Sequence, residues 1–499
     1  MNYIKHLDGL RALAVILVIL FHSGIELFSG GYVGVDIFFV LSGYLITGII
    51  YEKIKKNSFS FNEFYAKRIK RLIPPVTIVK LFSLLVGYYL MNPYQFSILI
   101  DQSLYSIILL SNFYLAKNSD YFSLSTLENP LMHTWSLSLE EQFYLIFPIL
   151  FLIIYLKFKN KIIIFLLFFL LISLFTAQFA GNLTFEKPFI EDKLFFFNQP
   201  GFASYFMPIG RFFEFLLGSV SYLLTGRLKK IPLSHKILSY FGIFLILLSL
   251  TFYDRSSGFP NFLTLIPALG TILIILYYPK EKSYLDFLTY KPILFIGTIS
   301  YSLYLWHQPF FAFYRIKFNS EIPVFSVCII VLISFIFAYF SNKFFENKIR
   351  RSKFDNNKTI YLYFISILIF VVVLLFFKST SFQDSYKKKY YKKIPKNNLN
   401  LIIDVEQNIQ RFKKISLIKD LQLTESKSKK NILILGDSMS FNWIDSLNKN
   451  KILYNSKYQF SHLVLDENCF KFLKNNYYMN KQCEKYISNF KNDLSKNQY

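Results

Sequence analysis

Several classes of protein are excluded by what these 499 residues lack. No group of His, Cys and carboxylates falls at metal-ligand spacing and no glycine-rich phosphate loop is present, which argues against a metalloenzyme or a P-loop nucleotidase. No segment repeats at a fixed period, so a solenoid is ruled out and the repeat signature of many transporters is missing. Cysteine occurs only three times, too rarely for a disulfide framework to hold the chain together. Met1 to Lys5 carry no charged start leading to a cleavable small-residue site, so the first apolar run reads as a retained helix. Acidic residues are few, 31 against 56 basic, and charged residues make up 17%, below the usual quarter or so of a soluble domain.

Apolar and aromatic residues fill the place of charge. They reach 53% and 20%, with 59 Phe and 36 Tyr, and they gather in runs of bilayer-spanning length. Eleven runs lie near 8–27, 33–51, 74–91, 138–156, 161–180, 204–224, 236–253, 260–278, 293–314, 323–342 and 359–377. The expected fold is therefore a polytopic α-helical membrane protein of about 11 transmembrane helices. A twelfth stretch, 97–115, is interrupted by Asp101, Gln102 and Asn112. If it does not cross, Lys53, Lys67, Arg68, Arg71, Lys157, Lys161, Arg227, Lys280, Lys343 and Arg350 all fall on one side. A crossing would scatter them. The stretch is thus read as interfacial or re-entrant, with the N-terminus cytoplasmic and residues 378–499 extracytoplasmic.

The net charge of +25 invites a nucleic-acid reading. The basic residues sit in short loops and in the tail, as the positive-inside bias and anionic lipid headgroups of the bilayer require, so no nucleic-acid partner is expected. Cys328, inside an apolar run, reads as a packing residue; for Cys469 and Cys483, on the oxidising side, pairing and free thiols both stay open.

Ionisable residues at membrane depth are costly and mark cavities or pairs. Asp8, Arg11 and His22 share a stripe of the first run, for the step from Arg11 to His22 is about three turns, roughly 16 Å. Such a stripe suits an anion clamp at a mouth and a general base deeper in, although a packing His paired across helices fits too. Gly30, Gly31 and Gly34 allow close helix approach, and Asp36 is either an orienting partner for His22 or a cap of the second helix. Arg68 and Arg71 share a face before Pro74-Pro75; they suit a phosphate-rich ligand, or else anchor to headgroups. His133, Trp135, Glu140 and Glu141 concentrate at one entry, where an aromatic belt explains Trp135 and Tyr144 but not the adjacent glutamates. Arg211 with Glu214, and His307 before Pro309, read as a buried ion pair and a kink. Glu346 and Arg350 read as a surface pair.

Taken in order, Lys5-His-Leu-Asp8-Gly9-Leu-Arg11-Ala12 with His22, Gly31 to Ile46, Phe64 to Pro74, His133 to Tyr144, Arg211 to Gly218 and Gly297 to Pro309 resemble the acyltransferase-3 family of integral-membrane O-acyltransferases. The resemblance covers about residues 1–350 as a ten-span domain, with 351–378 an eleventh helix, 379–430 a basic linker and 431–499 a further domain. It implies a bacterial inner (cytoplasmic) membrane enzyme. Acyl-CoA, here acetyl-CoA, is the implied co-substrate on the cytoplasmic side, with no permanently bound cofactor and no metal. The acceptor is a cell-envelope glycan (O-antigen, capsule or peptidoglycan) on the outer side. By position, His22 is the implied catalytic base with Asp36 beside it. Arg11, Arg68 and Arg71 hold the donor, and His133, Trp135, Glu140, Glu141, Arg211, Glu214 and His307 line an acceptor site or tunnel. A transporter of lipid-linked glycan is the competing class, and a non-catalytic remnant is a third. Oligomeric state is not legible.

In the tail, Asn431-Ile-Leu-Ile-Leu-Gly436-Asp437-Ser438 resembles the first block of an SGNH hydrolase/acyltransferase domain, which implies Ser438 as nucleophile. The matching Asp-x-x-His block is absent, since His462 is preceded at that spacing by Gln459. The expectation is a small, incomplete α/β SGNH-like domain.

Overall fold

The computed structural model describes residues 3–118, 127–179, 205–228, 235–254, 259–279, 281–318, 322–352 and 354–392, and in the tail 430–436, 458–464, 470–473 and 476–479. The chain divides into two units, Met1–Lys387 and Lys388–Tyr499. The first contains α1 Lys5–Ser23, α2 Gly34–Lys55, α3 Phe61–Leu90, α4 Pro93–Ile107, α5 Ser111–Asn118, α6 Thr134–Phe158, α7 Ile162–Phe179 and α8 Pro208–Leu228. There follow α9 His235–Phe252, α10 Leu265–Tyr277, α11 Lys291–Thr298, α12 Ser300–Phe318, α13 Val324–Ser341, α14 Asn347–Arg350, α15 Asn356–Lys378 and α16 Thr380–Lys392, the last straddling the division.

Each of the eleven apolar runs falls on helix, and seven helical stretches among the described residues are long and apolar enough to cross a membrane. This is a multi-pass membrane protein. Local chemistry sets the helix ends. Gly24, at φ 85°, closes α1, while Ser60 caps α3 by accepting from the Glu63 backbone N–H. Asn92 and Gln95 form a capping box ahead of α4, with Pro93 in its first turn. Burial then sorts the helices. α2 is almost wholly enclosed, whereas α15 presents Tyr361, Phe364, Leu368 and Phe376 outward, an apolar surface suited to lipid.

Two glycines bring α2 and α8 together. A Cβ on Gly43 would lie 1.9 Å from the Phe215 carbonyl oxygen, and one on Gly218 would lie 2.1 Å from that of Val40. The helices therefore pack backbone to backbone, as small residues permit in membranes.

The stretch 97–115 is split into α4 and α5 by Leu109 at φ 61°, giving helices of 15 and 8 residues, short of the ~20 a crossing needs. The polar residues that interrupt it are the ones that fasten it. Asp101 pairs with Lys378 at 2.6 Å, Gln102 donates to Ser111 at 2.5 Å, and Asn112 donates to the Phe206 carbonyl at 3.0 Å.

Two sequence expectations change. Cys328 faces out from α13 instead of packing inward. Glu346 and Arg350 are not a surface pair: a π-helical turn at Asn342–Glu346 shifts the register, so Glu346 turns inward and accepts from Asn342 at 3.1 Å.

In the second unit, β1 Lys430–Gly436 runs parallel to β2 Tyr458–Val464, with Ile434 opposite His462, and β3 Phe470–Leu473 pairs antiparallel with β4 Asn476–Met479. A parallel pair needs a crossover of about a dozen residues or more, and residues 437–457, which lie between β1 and β2, are outside the described residues. Ser438, Cys469 and Cys483 lie outside the described residues.

Candidate active site

A cavity of about 580 Å³, within the size range of small-molecule sites, opens in the first unit. Arg11 of α1, Arg68 and Arg71 of α3 and Arg350 of α14 line it, together with Asp8, Glu140 and Glu346. Arg68 and Arg71 reach the same space because three residues on a helix bring side chains to one face. Their spacing therefore has the consequence read from the sequence. Arg11 is steadied by Asp8 at 3.0 Å, and the other Asp8 oxygen accepts from the Tyr3 hydroxyl at 2.7 Å. That bond raises the Tyr3 phenol above its ordinary pKa, with burial adding to the effect. Glu140 accepts from both Ser42 and Tyr144, and Arg68 lies over the Tyr144 ring at 5.6 Å. Guanidiniums gathered on one cavity in this way match an elongated polyanion.

His22 lies at the other end of α1, 2% exposed. Its Nδ1 is 3.0 Å from the Val18 carbonyl and 3.2 Å from Nε2 of His307 on α12. A carbonyl only accepts, so the shared proton belongs on His22 Nδ1 and His307 Nε2 receives. The Nε2 of His22 is then a lone-pair nitrogen, buried and without a hydrogen-bond partner among the described residues. His133 completes the cluster, its ring 5.5 Å from that of His307. Arg315 donates to the His22 carbonyl at 2.5 Å. Among the described residues no group of His, Cys and carboxylates is arranged to hold a metal ion.

Other candidates separate into different places. Asp36 does not orient His22. Its Oδ1 accepts from Arg211 at 2.9 Å, and Arg211 also contacts Glu214 at 2.9 Å. All three are at most 1% exposed, and the guanidinium sits 5.2–5.6 Å from the rings of Phe39, Trp135, Tyr205 and Phe259. Trp135 is accordingly a core residue, 0% exposed, and not part of an interfacial belt. Glu140 and Glu141, about 100° apart around α6, face different spaces. Glu141 lies with Lys80 in a separate small cavity. Sequence reasoning passed over Lys80, a charge inside an apolar run that could have been found by the same test as His22. It also passed over Arg350, hidden by the surface-pair reading, and Tyr304 and Ser136, which carry no charge to mark them.

A multi-pass helical bundle with an arginine-lined cavity and a buried histidine cluster is the class that fold and site define. The chain belongs to the acyltransferase-3 family, whose model, an acyltransferase domain, matches residues 4–343. Among curated relatives, it is 34% identical over 366 residues to the O-acetyltransferase OatA of Staphylococcus aureus, covering 71% of this chain and 58% of that protein. It is 32% identical over 367 residues to the peptidoglycan O-acetyltransferase OatA of Listeria monocytogenes, covering 71% and 57%. An uncharacterized protein of Haemophilus influenzae is 35% identical over 246 residues, which is 48% of this chain and 96% of that one. The match thus spans less than two thirds of the OatA proteins, and no solved structure matches.

Proposed function

We propose that the protein is a membrane O-acetyltransferase that moves an acetyl group from acetyl-CoA to a hydroxyl of a cell-envelope polysaccharide. The observation that carries this reading is His22: one ring nitrogen fixed by Val18 and His307, the other bare and buried, on the helix whose opposite end bears Arg11 in the arginine-lined cavity. Arg11, Arg68 and Arg71 hold the nucleotide phosphates of the donor, and the pantetheine arm carries the thioester toward His22. Nε2 takes the proton from the acceptor hydroxyl as its oxygen bonds to the thioester carbon. The carbon–sulfur bond then breaks, and the thiolate receives the proton from Nε2, leaving an ester and coenzyme A. Family membership and the names of the OatA relatives support the acetyl group and an envelope glycan acceptor.

The charge pattern supports a cytoplasmic N-terminus, eleven spans and an outer tail, in a bacterial inner membrane. In this reading residues 1–350 are the membrane domain, 351–378 the last span, 379–430 a basic linker and 431–499 a partial SGNH-like domain that carries Ser438 without the Asp-x-x-His block needed to activate it, so the acetyl transfer is assigned to the membrane domain. The test is mass spectrometry of purified envelope glycans from cells expressing wild type, His22→Ala or a chain ending near residue 378, at matched membrane levels. An acetyl increment lost in His22→Ala and kept in the shortened chain establishes catalysis by the membrane domain. An increment that survives His22→Ala at wild-type level removes His22 as the base.

A further inference from the structure

The arginine cavity stops short of the histidines. On α12 it is lined by Ser300, Tyr301 and Tyr304, and His307 comes one turn later, about 4.5 Å further along the axis. On α6 it is lined from Ser136 onward, and His133 lies just before. None of the three histidines lines it. The partition is specific. The Tyr304 hydroxyl is 2.6 Å from Ser136 Oγ and donates to the His133 carbonyl at 3.3 Å. The Tyr304 ring lies 5.5 Å from His133, 5.4 Å from His307 and 6.0 Å from Phe38, which lines the cavity too. Tyr304 therefore belongs to both compartments, lining the cavity and touching two histidines of the cluster that fixes His22.

We propose that Tyr304 is a specificity-determining gate between the donor cavity and His22, latched by Ser136 and passed only by a short acyl group. This rests on the reading of the cavity as an acyl-CoA site. The chemical need follows from the reaction. A thioester left beside an activated base and water is hydrolysed: water oxygen bonds to the carbonyl carbon, the carbon–sulfur bond breaks, and the thiolate takes a proton, releasing free acid and coenzyme A with no ester made. Keeping the base behind a closed aromatic wall until the acyl arm displaces it suppresses that loss. Rotating the Tyr304 ring out of the wall breaks its short contact with Ser136 and its longer bond to the His133 carbonyl.

The experiment uses the full-length protein in lipid nanodiscs and three readings: thiol release without glycan, the ratio of hexanoyl-CoA to acetyl-CoA turnover, and alkylation of His22→Cys by a polar maleimide. Peptide mass assigns the alkylation apart from Cys328, Cys469 and Cys483. Tyr304→Phe and Ser136→Ala are each expected to raise glycan-independent thiol release several-fold, with the double variant no higher, because both break the same latch. Tyr304→Ala is expected to raise the hexanoyl ratio and to speed alkylation of His22→Cys. The gate is overturned by unchanged release, unchanged acyl preference and equal alkylation. Loss of all turnover in variants that melt like wild type, with alkylation unchanged, also overturns it and assigns Tyr304 to the chemistry instead. If wild type turns over no acyl-CoA even with glycan, the donor reading fails, and alkylation, which needs no donor, still decides the gate.

Discussion

Three imidazoles sit in one buried cluster, and their roles differ by partner. His22 presents a bare Nε2, whereas the His307 nitrogen facing it is occupied in receiving the His22 proton. If His22 takes the acceptor proton as proposed, His307 is the neighbour that spreads the imidazolium charge. His307→Ala should therefore lower kcat by about tenfold to a hundredfold, each factor of ten being about 1.4 kcal/mol, with the donor KM unchanged. Steady-state kinetics of the purified protein check this; a change confined to KM would make His307 a binding residue. The arginines predict the reverse pattern. Arg68→Ala should raise the KM for acetyl-CoA about tenfold, on the order of one charge-assisted hydrogen bond, and leave turnover of acetyl-pantetheine, which lacks the nucleotide phosphates, at wild-type level. Arg211 is different again. Its charge meets two carboxylates inside the bundle, and Arg211 is not among the residues that line the cavity. Arg211→Ala should destabilise the protein by about 3–5 kcal/mol through the uncompensated buried acids, measured as a lowered melting temperature in detergent.

At the scale of helices, contact between α2 and α8 sets where Asp36 and Arg211 meet. Gly43→Val inserts atoms against the Phe215 backbone, 1.9 Å from the new Cβ, and no flexible side chain can yield there. The expected cost is at least the ~1–3 kcal/mol of ordinary overpacking, seen as a lower melting temperature. Gly24 supplies the contrast. Its Cβ would meet nothing within 4 Å, so Gly24→Ala meets only the penalty of φ 85°, about 1–2 kcal/mol. The positions of these helices were legible, because apolar runs of fixed length and glycine or capping residues at their ends are local properties. The broken stretch 97–115 was legible for the same reason: polar residues inside an apolar run must find partners. Which partners they find was not. Asp36 and Arg211 are 175 residues apart, and nothing local tells Asp36 to face Arg211 rather than His22. A π-turn likewise leaves no spacing signature, so Glu346 and Arg350 read as a helical surface pair when they line the cavity.

Within the first unit the arginines and the buried histidines occupy two chemically distinct places. Asp8, Arg11, Arg68, Arg71 and Arg350 gather around one cavity, and the basic loops that the charge pattern assigns to the cytoplasm adjoin those same residues in sequence. His22 is at the opposite end of α1, about 16 Å from Arg11 along the axis. In the proposed reaction the donor enters from the basic side and the acyl group is delivered toward the other, so access to donor should depend on which face of the membrane is presented. Inverted membrane vesicles, with the cytoplasmic face outward, should consume added acetyl-CoA and label their enclosed glycan, while right-side-out vesicles of equal protein content should consume none until permeabilised. Arg68→Ala should weaken uptake in inverted vesicles in proportion to its KM change, which ties the sidedness to the cavity and not to another transferase in the preparation. Equal consumption by intact right-side-out vesicles would reverse the orientation, and the positive-inside reading of residues 53–71 and 343–353 would fall with it.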